Sequence, residues 1–223
     1  MLNAKERKLE RLNSGLPDSL SPSMYNVVLL GTVLYGFIIN ALMVPVLGPM
    51  LWDVDYRIIL VGYLISCIAG TFLAANDSPL VSFIGYNLIV LPMGALLSLI
   101  VPGYGSGLVM QAILLTGSIT LTMLALGALF PRVFLGMGRA LGVALLVSCL
   151  LSLASWFIAG IDSWLVWGTA ILFTLYIGYD LARAQAYPKT LNNAVDCAID
   201  LYLDIINLFL RILRILARLR SDD

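Results

Sequence analysis

The sequence predicts an all-α integral membrane protein with seven transmembrane helices, and three observations carry that prediction. Hydrophobic residues make up 61% of the 223 and charged residues only 12%, whereas a soluble domain carries about 25% charged residues. Several apolar runs exceed the roughly 20 residues that a helix needs to cross the hydrocarbon core. Proline and glycine then punctuate the chain at intervals, as turns between helices do.

Taken in order, residues 1–23, opening MLNAKERKLERLNSG, read as a cytosolic tail. A charged head followed by LPDSLSPS lacks the order of a signal peptide. Helices are predicted near 24–46, 57–75, 79–101, 107–130, 138–159, 163–183 and 193–217. The transmembrane domain therefore covers 24–218, and 219–223 form a short C-terminal tail. The turns are NDSPL at 76–80, VPGYGSG at 101–107, FPRVFLGMG at 130–138 and YPKT at 187–190. Pro79 suits a helix start, while Pro45 and Pro92 lie within or near the ends of spans and are expected to kink them. PGYGSG joins two spans and reads as a flexible turn, not a phosphate cradle. The small residues of GALLSL and GSITLTMLALGAL are expected to form close-packing helix faces. Asn40, Asn87 and Gln111 are candidates either to line a cavity or to bond across helices.

Short cytoplasmic loops accumulate Lys and Arg. With the N-terminus inside, Lys5, Arg7, Lys8, Arg11, Arg132, Arg139, Arg183 and Lys189 all fall on the cytoplasmic side, and before the last helix only Arg57 falls outside. Trp52, Trp156, Trp164 and Trp167 map near the outer ends of helices, where an aromatic belt belongs. A seventh crossing carries Arg211, Arg214, Arg218 and Arg220 to the outer side, against the rule. The last segment therefore spans, re-enters and returns, or lies along the inner surface.

Composition also excludes. Net charge is zero, so there is no electrostatic footprint for nucleic acid. The absence of histidine removes the commonest metal ligand and the usual general base. Cys67, Cys149 and Cys197 are far apart in apolar segments and read as buried free thiols.

The chemistry concentrates in the last segment. In NNAVDCAIDLYLDIINLFLRIL, residues 192–213, Asp196, Asp200 and Asp204 recur every four residues on one helical face. With Asn207, Arg211, Arg214 and Arg218 they fall within an arc of about 80°. One reading is an interfacial helix with its charged face in water. The other is a spanning helix whose polar stripe faces the bundle interior, because a charge at mid-membrane costs about 2.5–3.5 kcal/mol. A further acid, Asp180, stands in GTAILFTLYIGYDLARA at 168–184, sharing a face with Thr169, Phe173, Tyr176 and Arg183. Helices six and seven are joined by a short loop and must form an antiparallel hairpin. A turn centred near Asn192 sets Asp180 against Asp204; one centred near Pro188 sets it against Asp196. In either case two carboxylates meet in a low-dielectric site, share one proton and titrate in coupled steps. Such a pair acts as a proton-operated latch, and when deprotonated offers oxygens to a passing cation.

The segments AIDLYLDIINLF (198–209) and LYIGYDLARA (175–184) resemble the end of the Bax inhibitor-1, or TMBIM, family, with a weaker match in SFIGYNLIVLPMGALLSLIVP (82–102). The tail SDD also resembles bacterial members. The resemblance implies a seven-helix bundle with the last helix central, and a pH-sensitive calcium leak channel gated by aspartates of helices six and seven. Carried over, the YD acid is Asp180 and the LYLD acid is Asp204, both touching calcium only transiently, with Asp200 as a second acid and Asp196, Arg183, Arg211 and Arg214 as additional pore or ion-pair candidates. Calcium ions and protons are then the transported and sensed species, the lipid bilayer the surroundings, and no cofactor is implied. Relatives carry charges in or near helix two; here IILVGYLISCIAGTFLAAN has none, so a basic partner comes from Arg183, Arg132 or the last helix.

The resemblance also implies a membrane AAA protease as a partner, since bacterial relatives of this pattern include proteins that bind one, and a non-transporting regulator is the rival expectation. An enzyme is not expected, because intramembrane aspartyl proteases use GxGD and Asp180 stands in YIGYD without the first glycine. The short N-terminus and the lack of a retention signal point to a bacterial inner (plasma) membrane, with the N-terminus cytoplasmic.

Overall fold

The computed structural model of the protein describes residues 19–51, 53–155 and 161–221. Most of the predicted N-terminal tail, Trp52, Trp156 and the last two residues lie outside them. The described residues form seven helices: α1 (Pro22–Leu51), α2 (Tyr56–Ala74), α3 (Pro79–Ile100), α4 (Ser106–Leu129), α5 (Pro131–Ala154), α6 (Ile161–Ala186) and α7 (Leu191–Ser221). A 3-10 turn, Val101–Tyr104, separates α3 from α4. The chain is an all-α membrane protein: α1 to α6 are each long and apolar enough to cross a bilayer.

α7 owes its place to packing instead of composition. It runs unbroken for 31 residues, about 46 Å at 1.5 Å per residue, which exceeds the roughly 30 Å hydrocarbon core. Leu201, Tyr202, Leu208 and Leu213 are almost wholly buried, and Val195, Ala198, Ile205 and Ile212 join them. Spaced at 100° per residue, these positions span about 140° of the helix circumference, and none of the residues from Leu191 to Leu213 on any face is exposed. A helix lying flat on a bilayer buries one face only, so the interfacial reading and the re-entrant reading both fall.

Two other expectations change. The segment 130–138 is not a turn, because α5 begins at Pro131. Proline is at home in a first helical turn, where its missing N–H has no intrahelical partner to lose. Of the two glycines that suggested a turn, Gly138 serves packing, since a Cβ there would lie 2.8 Å from the Tyr179 ring, whereas a Cβ on Gly136 would meet open space. Of the three cysteines, none of which is in a disulfide, only Cys197 is buried; Cys149 is exposed. The outer surface of a membrane protein is itself apolar, so a thiol is no worse there than inside.

The chain divides into two compact units. The first comprises the segment ending at Gly103 together with Ala184–Tyr202, and the second Tyr104–Arg183 together with the segment from Leu203 onward. In the first, α1 and α2 both pack on α3. Its interior holds a bonded polar network: Tyr202 Oη donates to Asn40 Oδ1 at 2.8 Å, and Asn40 Nδ2 donates to the Val90 carbonyl at 3.1 Å. Tyr35 Oη donates to Asn87 Oδ1 at 2.9 Å. Asn40 and Asn87 thus bond across helices, whereas Gln111 is exposed. Leaving one such group buried without its partner costs about 1–3 kcal/mol.

The α6–α7 turn is pinned within this unit. Lys189 Nζ donates to the carbonyls of Ala184 and Gln185 at 3.1 and 2.8 Å, placing a cation at the negative end of α6. The same ammonium lies 4.4 Å from the Tyr25 ring centroid. Tyr25 Oη donates to the Ala184 carbonyl at 3.0 Å, and Leu20 N to the Lys189 carbonyl at 2.7 Å.

Candidate functional site

In the second unit, α6 presents Asp180 and α7 presents Asp204. Both are buried, at 5% and 8% exposure, and their carboxyl groups are hydrogen-bonded to each other. An ionised carboxylate is an acceptor only, so that bond requires a proton on one of the two. Two such groups in a water-poor interior cannot both ionise cheaply, and they share it.

The bond selects the first of the two registers open to the hairpin, although the turn spans 187–190. Asp180 is six residues before the end of α6, and Asp204 thirteen residues after the start of α7. At 1.5 Å per residue the mismatch is about 10 Å.

Arg183 stands one turn beyond Asp180, with Nη2 3.1 Å from Asp180 Oδ1. Its guanidinium lies 5.6 Å from the Tyr179 ring centroid, and Tyr176 stands near both carboxyls. The basic partner therefore belongs to the same helix as Asp180. α4 and α5 support this stretch of α6 at close quarters. A Cβ on Gly127 would lie 2.5 Å from the Gly178 carbonyl, two residues from Asp180. At that distance no side chain fits without moving a backbone.

The remaining candidates separate. Asp200 is half-buried on α7 within the first unit. Asp196, also in the first unit, accepts from Asn192 Nδ2 at 3.3 Å. Arg214 Nη1 is 3.5 Å from Asp162 Oδ1, and Arg218 pairs with the other oxygen of the same aspartate. Arg211 is part-exposed beside Arg214 and Asp162. The arginines of the stripe thus gather at the start of α6, not at the aspartate pair. Sequence reasoning missed Asp162, although following the antiparallel hairpin to its far end aligns the start of α6 with the basic end of α7. It also missed Tyr179. Among the described residues, no group of three or more acids, cysteines or histidines surrounds a point where a metal ion would be held.

Comparison with known proteins bears on this geometry. The family model described as "Inhibitor of apoptosis-promoting Bax1" matches residues 19–221. A protein of Helicobacter pylori (strain J99) named only as uncharacterized is 33% identical over 132 residues, covering 57% of this chain and 56% of its own. A second H. pylori strain (26695) has a counterpart with the same identity and coverage. Bax inhibitor 1 of Saccharomyces cerevisiae is 51% identical over 59 residues, which is 26% of this chain and 19% of the yeast protein. The chain thus spans about half the length of the H. pylori relatives, and a fifth of the yeast one. With a family match running from the residues before α1 to the end of α7, this chain belongs to the Bax inhibitor (TMBIM) family.

Proposed function

We propose that the protein is a pH-sensitive calcium leak channel, not an enzyme, of a cell inner membrane with its N-terminus cytoplasmic, and that Asp180 and Asp204 form its gate. The observation that carries this reading is the hydrogen bond between two buried carboxyl groups contributed by different helices. With one proton between them, the pair ties α6 to α7, and Arg183 balances the remaining charge. Acid that protonates both carboxyls cancels the ion pair with Arg183 and removes the charge-assisted bond, so the two helices are freed to part. The leak therefore rises on acidification. Calcium prefers 6–8 oxygens, so two carboxyls and water pass the ion on without storing it.

A regulator that grips a membrane AAA protease has thinner support, because Arg214 and Arg218 at the basic end of α7 are engaged with Asp162. Calcium flux into liposomes across a pH series tests the proposal. Wild-type flux is expected to climb as pH falls, and Asp180→Asn and Asp204→Asn to flatten the climb. If both variants keep the wild-type flux and pH profile, the gate is elsewhere.

A further inference from the structure

A second cluster of oxygens lies in the first unit, where the last turn of α2, the first turn of α3 and the first turns of α7 meet. Its centre is Ser82, which is fully buried. The Ser82 hydroxyl lies 3.0 Å from the Ala74 carbonyl, 3.2 Å from the Asn76 carbonyl and 2.8 Å from Asn192 Oδ1. It is also within hydrogen-bonding reach of the Asp196 carboxylate. A serine hydroxyl has one hydrogen to give, so four acceptors compete for it. Asn192 Nδ2 relieves part of the excess by donating to the Asn76 carbonyl at 3.0 Å and to Asp196 Oδ2 at 3.3 Å. Asp196 Oδ1 is sealed from solvent and has no hydrogen-bond partner.

An oxygen-rich knot short of hydrogens, with one unanswered carboxylate oxygen, is what a bound cation resolves. Its position agrees, since Ala74 ends α2, and the carbonyls of a last helical turn are unpaired acceptors at the negative end of the helix dipole. We propose that this junction binds a monovalent alkali cation of the sodium class through Asp196 Oδ1, Ser82 Oγ, Asn192 Oδ1 and the Ala74 carbonyl. The Ser82 hydrogen then turns to the Asn76 carbonyl, and the Asn192 amide nitrogen keeps its present partners. A single carboxylate among neutral oxygens balances one positive charge. Calcium would be left with an unmatched charge and too few of its 6–8 ligands. Helix C-terminal carbonyls are the donors used for sodium in other membrane proteins. The site uses none of the residues of the Asp180–Asp204 gate and stands whether or not that gate does.

Binding of radioactive sodium to the purified full-length protein in detergent, at ionic strength held constant with choline, tests this directly. One displaceable sodium per chain is expected, together with a rise in melting temperature as sodium replaces choline. Asp196→Asn should abolish both effects. Ser82→Ala, which leaves the charge in place, should raise the half-saturating sodium concentration by about tenfold, the loss of one good ligand. Absence of saturable sodium binding in the wild type overturns the proposal, as does wild-type binding by Asp196→Asn. Stabilisation by calcium but not by sodium overturns the assignment to a monovalent ion.

Discussion

Asp204 and Asp196 stand on one face of one helix, two turns apart, yet their surroundings have nothing in common. Asp204 meets a second carboxyl, with Arg183 beyond it. Asp196 meets an amide and a hydroxyl that is itself surrounded by backbone carbonyls. The first setting tolerates little negative charge and favours a proton held between two carboxyls. The second is rich in oxygens and short of positive charge, which is the ground for the cation proposed there. A row of acids at fixed spacing is therefore not one functional unit; what each acid does is set by the elements packed against it.

The sharpest way to break this contrast is a crossed experiment. Asp204→Asn is expected to remove the acid response of calcium flux, about tenfold for each pH unit when one group titrates, and to leave sodium-dependent melting intact. Asp196→Asn is expected to do the reverse: sodium dependence is lost while a response to acid is kept. If either variant abolishes both properties, the two acids belong to a single site.

Smaller changes sharpen the picture. Gly127→Val drives a branched side chain into the Gly178 backbone behind Asp180. Overpacking of this kind costs about 1–3 kcal/mol, so the variant should melt several degrees lower by thermal unfolding in detergent, and its flux should lose pH dependence. Unchanged melting would mean that α4 and α6 are not held at that distance. Arg183→Gln removes the counter-charge of the pair. Leak at neutral pH should rise a few-fold, because the ion pair is gone before acid is added, and the further rise on acidification should shrink. Lys189→Met is the mildest change, forfeiting the carbonyl contacts and a cation–π contact worth about 0.5–1 kcal/mol. A small loss of melting temperature, with the acid response intact, is the expected outcome.

Much of the fold was legible because membrane helices announce themselves by length and apolarity. Proline and glycine were ambiguous at one junction, where Pro131, Gly136 and Gly138 carry the same local signal whether they open a helix or make a turn. Tyr179 resolves it, but only in three dimensions. The hairpin left Asp180 facing either Asp204 or Asp196, and the resemblance of the LYLD segment to the Bax inhibitor-1 family pointed to Asp204. The Ser82–Asn192 contact could not be read, since 110 residues separate its members and no periodicity links them. Asp162 is legible only from the far end of the hairpin, where antiparallel pairing sets the start of α6 against the basic end of α7.

The first unit is built from two pieces of chain with some eighty residues between them. Asn40 on α1 waits for Tyr202, which is made 162 residues later, and Ser82 waits for Asn192. On the ribosome, α1 to α3 must therefore remain in the translocation machinery's care, or lodge in lipid with buried polar groups unsatisfied, until α7 emerges. A nascent chain stopped before residue 184 is expected to be recognised as unfinished and degraded. In this molecule a segment synthesised late completes one inserted early.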